Sequence, residues 1–187
     1  MRLTIVIGAA TKPGRLSAAA QALGTAEQEA GADVAYVDLG AAPLDAADGR
    51  PLDQASPATQ DAVGAIADAD AVVFFAPTYR ASYPGVLKNL LDLVPLEALL
   101  GKPVGIAAMG TSDHHFLGVD LQLRPVLGWF GALLAPVSTY LTGGDFDGDG
   151  RLSPERLDEL RQLVRTLDAL GAAAASPLGP APLAARG

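Results

Sequence analysis

Three short stretches of this chain bring cations, hydroxyls, glycines and tyrosines together. The first is Gly8-Ala9-Ala10-Thr11-Lys12-Pro13-Gly14-Arg15-Leu16-Ser17, with hydroxyls at Thr11 and Ser17, cations at Lys12 and Arg15, and no acid from Gly8 to Ala26. If it turns a strand into a helix, its backbone N–H groups and the helix dipole behind them attract a phosphate. Arg15 could grip that phosphate bidentately. The stretch lacks the Gly-x-Gly-x-x-Gly of dinucleotide sites and the Gly-Lys-Ser/Thr of triphosphate loops. The competing reading is an ordinary turn with solvated Lys12 and Arg15.

The second stretch is Pro77-Thr78-Tyr79-Arg80-Ala81-Ser82-Tyr83-Pro84-Gly85. It holds two tyrosines in a chain that is only 5% aromatic. Pro77 and Pro84 stiffen its ends. Its tyrosines could wall a flat ligand, although Tyr83 before Pro84 could equally pin the next helix. The third stretch, Met109-Gly110-Thr111-Ser112-Asp113-His114-His115, offers backbone donors and acceptors to a polar ring edge. Adjacent His114 and His115 would rarely point at one ion, so no metal is expected there.

An acidic run, Asp145-Phe146-Asp147-Gly148-Asp149-Gly150-Arg151-Leu152-Ser153, resembles the start of a calcium loop. The twelfth position of such a loop is a bidentate Glu; here it is Arg156, and Glu155 comes one place early. The run is therefore expected to be a solvated turn before the last helix.

Which elements would position these stretches? Leu3–Ile7, Asp33–Asp38, Ala71–Ala76, Pro103–Met109 and Leu134–Leu141 read as strands, the central ones as continuous apolar runs. Helices are expected at Leu16–Gly31, from Ser56-Pro57 to about Ala67, at Pro84–Leu93, at Phe116–Phe130 and from Ser153-Pro154 onward. Strict alternation implies an α/β fold. The chain is too short for a barrel, so a flavodoxin-like, doubly wound, five-stranded parallel sheet with helices on both faces is expected. Ligands of such sheets bind beyond the carboxyl ends of the strands, where all three loops would lie. Residues 1–171 would form one domain, and the Ala/Pro/Gly-rich residues 172–187 a disordered tail.

Composition narrows the function classes. The chain has 187 residues, a net charge of −8 and no cysteine. Disulfides, thiolate metal sites and a cysteine nucleophile are excluded, and a cytoplasmic setting is expected. No basic cluster suits nucleic acid, and no apolar run is long enough to span a membrane.

Taken together, "PTYRASYPGVLKNLLDLVP" (Pro77–Pro95), "GKPVGIAAMGTSDHHFLGVDLQLRPVLGWFGA" (Gly101–Ala132) and, more loosely, "GAATKPGRLS" (Gly8–Ser17) resemble the NADPH-dependent FMN reductases of the flavodoxin-like superfamily. The branch most similar is the reductase components of two-component flavin monooxygenases of the alkanesulfonate type. The resemblance implies that Thr11, Arg15 and Ser17 hold the FMN phosphate. It implies that Pro77, Thr78, Tyr79 and Arg80 follow the ribityl chain and ring edge, and that Gly110, Thr111 and Ser112 bond the pyrimidine end. NADPH or NADH would pass a hydride directly to flavin N5, with no acid–base side chain and no metal. A monooxygenase partner and a homodimer or homotetramer are also implied. The chain departs from the family at Ala9, where a serine is usual, and at Leu121, where the branch often has an aromatic residue. Two other functions stay open: an FMN-containing quinone or azo reductase, and a flavodoxin-like electron carrier. Leu87, Leu90, Leu91, Leu93, Leu96, Leu99 and Leu100 could serve an oligomer interface or pack against the sheet.

Overall fold

In the computed structural model, residues 1–11 and 13–174 are described. The strands are β1 (Arg2–Ile7), β2 (Asp33–Asp38), β3 (Ala71–Pro77), β4 (Pro103–Met109), β5 (Leu133–Leu134) and β6 (Thr139–Leu141). The helices are α1 (Arg15–Glu29), α2 (Pro57–Ala67), α3 (Gly85–Leu93), α4 (Phe116–Trp129) and α5 (Pro154–Ala173). All strand pairs are parallel, in the order β2-β1-β3-β4-β5, with β6 also on β4. This is the flavodoxin-like order, whose switch point lies between β1 and β3.

Phe74 and Phe75 show how β3 serves both faces. Side chains alternate along a strand, so Phe74 enters the core under α2, α3 and α4, while Phe75 enters the core under α1 and α5. Both are fully buried. A central strand covered on both faces must be apolar throughout, which is why Ala71–Ala76 carries no polar residue. Truncating either ring to Ala would cost about 3–5 kcal/mol.

The fifth strand differs from expectation: there are six strands, because Leu134–Leu141 is broken in the middle. β5 pairs with Pro103 and Val104, and β6 rejoins β4 at Ala107–Met109. Ala135 still donates to the Val104 carbonyl at 2.9 Å. Pro136 then has no N–H to give the ladder, and Val137 bulges outward, 75% exposed. Arg124 holds the bulge, donating to the Ala135 carbonyl at 2.9 Å and to Ser138 Oγ at 3.0 Å. The Arg124–Asp120 pair keeps the Asp120 carboxyl below the usual carboxylate range.

Helix starts follow their caps. Ser56 and Ser153 each accept from the N–H three residues on, ahead of Pro57 and Pro154. Around α3, Leu87, Leu90, Leu91 and Leu99 are in the core and Leu93 and Leu96 pack against it, while Leu100 is exposed. α5 runs to Ala173, past residue 171; the tail expected at 172–187 lies outside the described residues from position 175 on. Among the described residues, no helix is long and apolar enough to cross a membrane.

Candidate functional site

The loops after β1, β3 and β4 share the carboxyl edge of the sheet. The first runs beside the second because β1 pairs with β3, and Gly8 N–H donates to the Phe75 carbonyl at 2.7 Å. A Cβ on Gly8 would stand 3.0 Å from that same oxygen. The second loop is tied to the third by Thr78 N–H, which donates to the Met109 carbonyl at 2.7 Å.

The first loop ends at Gly14, the residue before α1. Gly14 has no side chain to cap the helix, so the N–H groups of Arg15, Leu16 and Ser17 are left for an outside acceptor. The first turn holds no acid. Thr11 and Arg15 are exposed and Ser17 is buried. Lys12 lies outside the described residues. Arg15 extends toward the segment after β6: its guanidinium carbon is 6.0 Å from the centroid of the Phe146 ring.

The second loop is a tight hairpin. Tyr79 and Ser82 exchange backbone hydrogen bonds of 2.8 and 3.0 Å. Arg80 (φ 51°) and Ala81 (φ 62°) form the two-residue turn, both in the left-handed region. That conformation suits Gly, Asn or Asp, so this turn stores strain of about 1–2 kcal/mol per residue. It holds Tyr79 out, 47% exposed, and leaves Tyr83 half-buried against the core. Burial pushes the Tyr83 hydroxyl's pKa up. Behind the turn, Thr78 Oγ1 is buried with no hydrogen-bond partner. It lies next to the Tyr140 hydroxyl, both bordering the space that a Cβ on Gly110 would fill.

The third loop is covered by Tyr140. Tyr140 Oη donates to the Ser112 carbonyl at 2.7 Å. A Cβ on Gly110 would fall 2.0 Å from that hydroxyl, so only glycine lets the ring lie there. Burial, with the nearby charge of Asp113, raises the Tyr140 pKa. Thr111 is exposed and Ser112 half-buried; among the described residues nothing accepts from their N–H groups. His115 lies 3.3 Å from Ser112 Oγ through Nδ1, and His114 is exposed. Among the described residues no group of three or more His, Asp or Glu is placed to hold a metal.

All ten residues expected at the site thus lie on or beside one edge, with Pro77 closing β3 and Gly110 following β4. The chain matches the NADPH-dependent FMN reductase family over residues 1–147. It belongs to that family. Among curated relatives it is 44% identical to the "NADH-dependent FMN reductase SfnF" of Pseudomonas fluorescens, over 65% of this chain and 64% of the relative, so the match spans less than two thirds of that relative's length. It is 33% identical to the protein of the same name from Pseudomonas putida, over 90% of this chain and 92% of the relative. Among solved structures, the apo form of an NADH:FMN oxidoreductase (EMOB) superposes with a TM-score of 0.73 at 26% identity, covering 94% of this chain and 91% of that one.

For a member of this family, the groups present fit FMN on the chain's own terms. An uncapped helix start with Arg15 suits a phosphate, and the N–H groups of Thr111 and Ser112 suit a ring carbonyl. Tyr140 and Phe146 also lie against these loops and are not among the ten expected residues. Tyr140 was read only as part of a strand. Phe146 was read only as part of an acidic turn, although an aromatic residue amid aspartates and glycines in an aromatic-poor chain was an available signal.

Proposed function

We propose that this chain is an NAD(P)H-dependent FMN reductase that supplies reduced flavin to a partner monooxygenase, working in the cytoplasm. The observation that supports this reading most is the meeting of a family match with an edge whose unsatisfied groups are those an FMN would satisfy. When bound, FMN supplies the redox chemistry, accepting at N5 a hydride from NADPH or NADH; the protein's part is to bind and orient.

Arg15 and the N–H groups of the first turn of α1 would hold the phosphate, with the hydroxyls of Thr11 and Ser17 beside them. Pro77, Thr78, Tyr79 and Arg80 would line the ribityl chain and ring edge, and the strained turn would hold Tyr79 where a flat ring needs a wall. Thr111 and Ser112 would donate main-chain N–H groups to the pyrimidine end, while Gly110 leaves room for Tyr140. The Ser112 carbonyl is already engaged by Tyr140. No side chain is given a proton-transfer role.

The same proposal includes a homodimer or homotetramer. What supports it is the outer face of α4, where Leu117, Leu121, Pro125 and Trp129 recur at every fourth position and are all exposed. Phe116 adds to this face beside the third loop, and Arg124 ties it to the bulge that carries Val137. Exposed apolar surface of this extent marks an association site. One domain over residues 1–171 would carry the whole site.

Steady-state oxidation of NADPH and NADH tests the reading. Turnover should require added FMN or co-purified flavin. Protein that neither binds FMN nor oxidises either nicotinamide in its presence would overturn it.

A further inference from the structure

The acidic run after β6 carries charge close to the first loop, yet none of it neutralises Arg15. Asp145 accepts from Arg156 Nε at 2.8 Å and from Thr142 N–H at 2.6 Å. Asp147 accepts from the N–H groups of Asp149 and Arg151 at 3.0 and 2.8 Å. Asp149 pairs with Arg151 at 3.2 Å. Asp145 is thus paired with Arg156 on α5, Asp149 with Arg151, and Asp147 is held by main-chain N–H groups, while among the described residues Arg15 has no carboxylate partner.

What Arg15 does touch is the loop's uncharged part. Its guanidinium carbon is 6.0 Å from the Phe146 ring centroid, within reach of a cation–π attraction. A Cβ on Gly143 would lie 3.2 Å from Arg15 Nη1, so a side chain there would press on the guanidinium. Phe146 is fixed from below: it packs against the core cluster that also holds Leu16, and it bridges to Leu152. The Thr142 capping box and the Asp145–Arg156 pair fix the segment before it.

We propose that this loop is a rest for Arg15, and that Phe146 is a positioning residue through which the chain favours a phosphorylated flavin over an unphosphorylated one. The inference rests on the flavin reading above and assigns a purpose to a segment that reading does not use. The loop engages its own acids in ion pairs or main-chain hydrogen bonds, places one aromatic face beside the guanidinium, and leaves Arg15, at the first turn of α1, with no carboxylate partner among the described residues.

The test is equilibrium binding of FMN and of riboflavin, followed by flavin fluorescence, to the wild type and to Phe146→Leu, Phe146→Tyr and Gly143→Ala. Leu keeps the apolar packing and loses the π face; Tyr keeps both. Phe146→Leu should raise the FMN Kd roughly two- to fivefold, the loss expected for one exposed cation–π contact, and leave the riboflavin Kd unchanged. Phe146→Tyr should restore the wild-type ratio. Gly143→Ala, which leaves the core untouched, should shift FMN alone in the same direction. If the two flavins weaken together in Phe146→Leu, or neither changes, the inference is overturned while the flavin reading stands. Wild-type protein that binds neither flavin overturns both.

Discussion

Tyr140 and Gly110 are matched: the tyrosine hydroxyl reaches the Ser112 carbonyl at 2.7 Å by crossing the space that any side chain at position 110 would fill. Gly110→Ala should therefore displace Tyr140 and disturb the N–H groups of Thr111 and Ser112. FMN affinity should fall at least tenfold, with a stability loss of about 1–3 kcal/mol in urea unfolding. Tyr140→Phe should keep the loop shape and cost about 1 kcal/mol, the value of one hydrogen bond. An alanine variant that binds FMN like the wild type would show that this loop does not touch the flavin.

The turn at Arg80-Ala81 should respond in the opposite sense. Glycine adopts a positive φ without penalty, so Ala81→Gly should raise stability by about 0.5–1 kcal/mol, or about 1–4 °C in Tm for a chain of this size. A lower Tm would mean that the left-handed backbone is not strained.

Asp45 sets a pH dependence. Hydrogen bonds from Ser56 and Thr59 hold its carboxyl at about 2, below the ordinary 3.8. A lowered folded-state pKa stabilises the fold above the unfolded value and loses that effect as pH falls through the folded one. Asp45→Asn should thus be less stable than the wild type near neutral pH, and the gap should narrow as pH falls from about 4 to about 2. Thermal melts across that window check it; a constant gap would contradict it.

The α4 stripe makes the oligomer testable. Leu121→Glu places a charge in the middle of the apolar face, and Leu121 is 60% exposed in the monomer, so folding should be unaffected. Light scattering should show a smaller particle than the wild type. Unchanged mass would move the interface elsewhere.

Much of the fold was legible in the sequence because its signals are local. Continuous apolar runs marked the central strands, and Ser-Pro pairs marked the starts of α2 and α5 within a residue. The break between β5 and β6 was not foreseen, because Pro136 spoils the ladder only if its neighbours must pair, and pairing is a tertiary fact. The leucines around α3 could be read as interface or core; only the packing shows all of them but Leu100 inside, while the exposed apolar row belongs to α4. At the site, Arg15, Thr78 and Gly110 stood out by type and position after a strand. Tyr140 and Phe146 arrive from the far end of the chain, and no spacing rule links position 140 to 110 or position 146 to 15.

Reductase chemistry is read most directly by anaerobic titration of the protein and FMN with NADPH and, separately, NADH, followed by absorbance. A reductase should show stoichiometric loss of the oxidised-flavin absorbance with at least one donor, at a rate far above that of free FMN. Flavin that binds but stays oxidised with both donors would leave a flavin carrier and contradict the reductase.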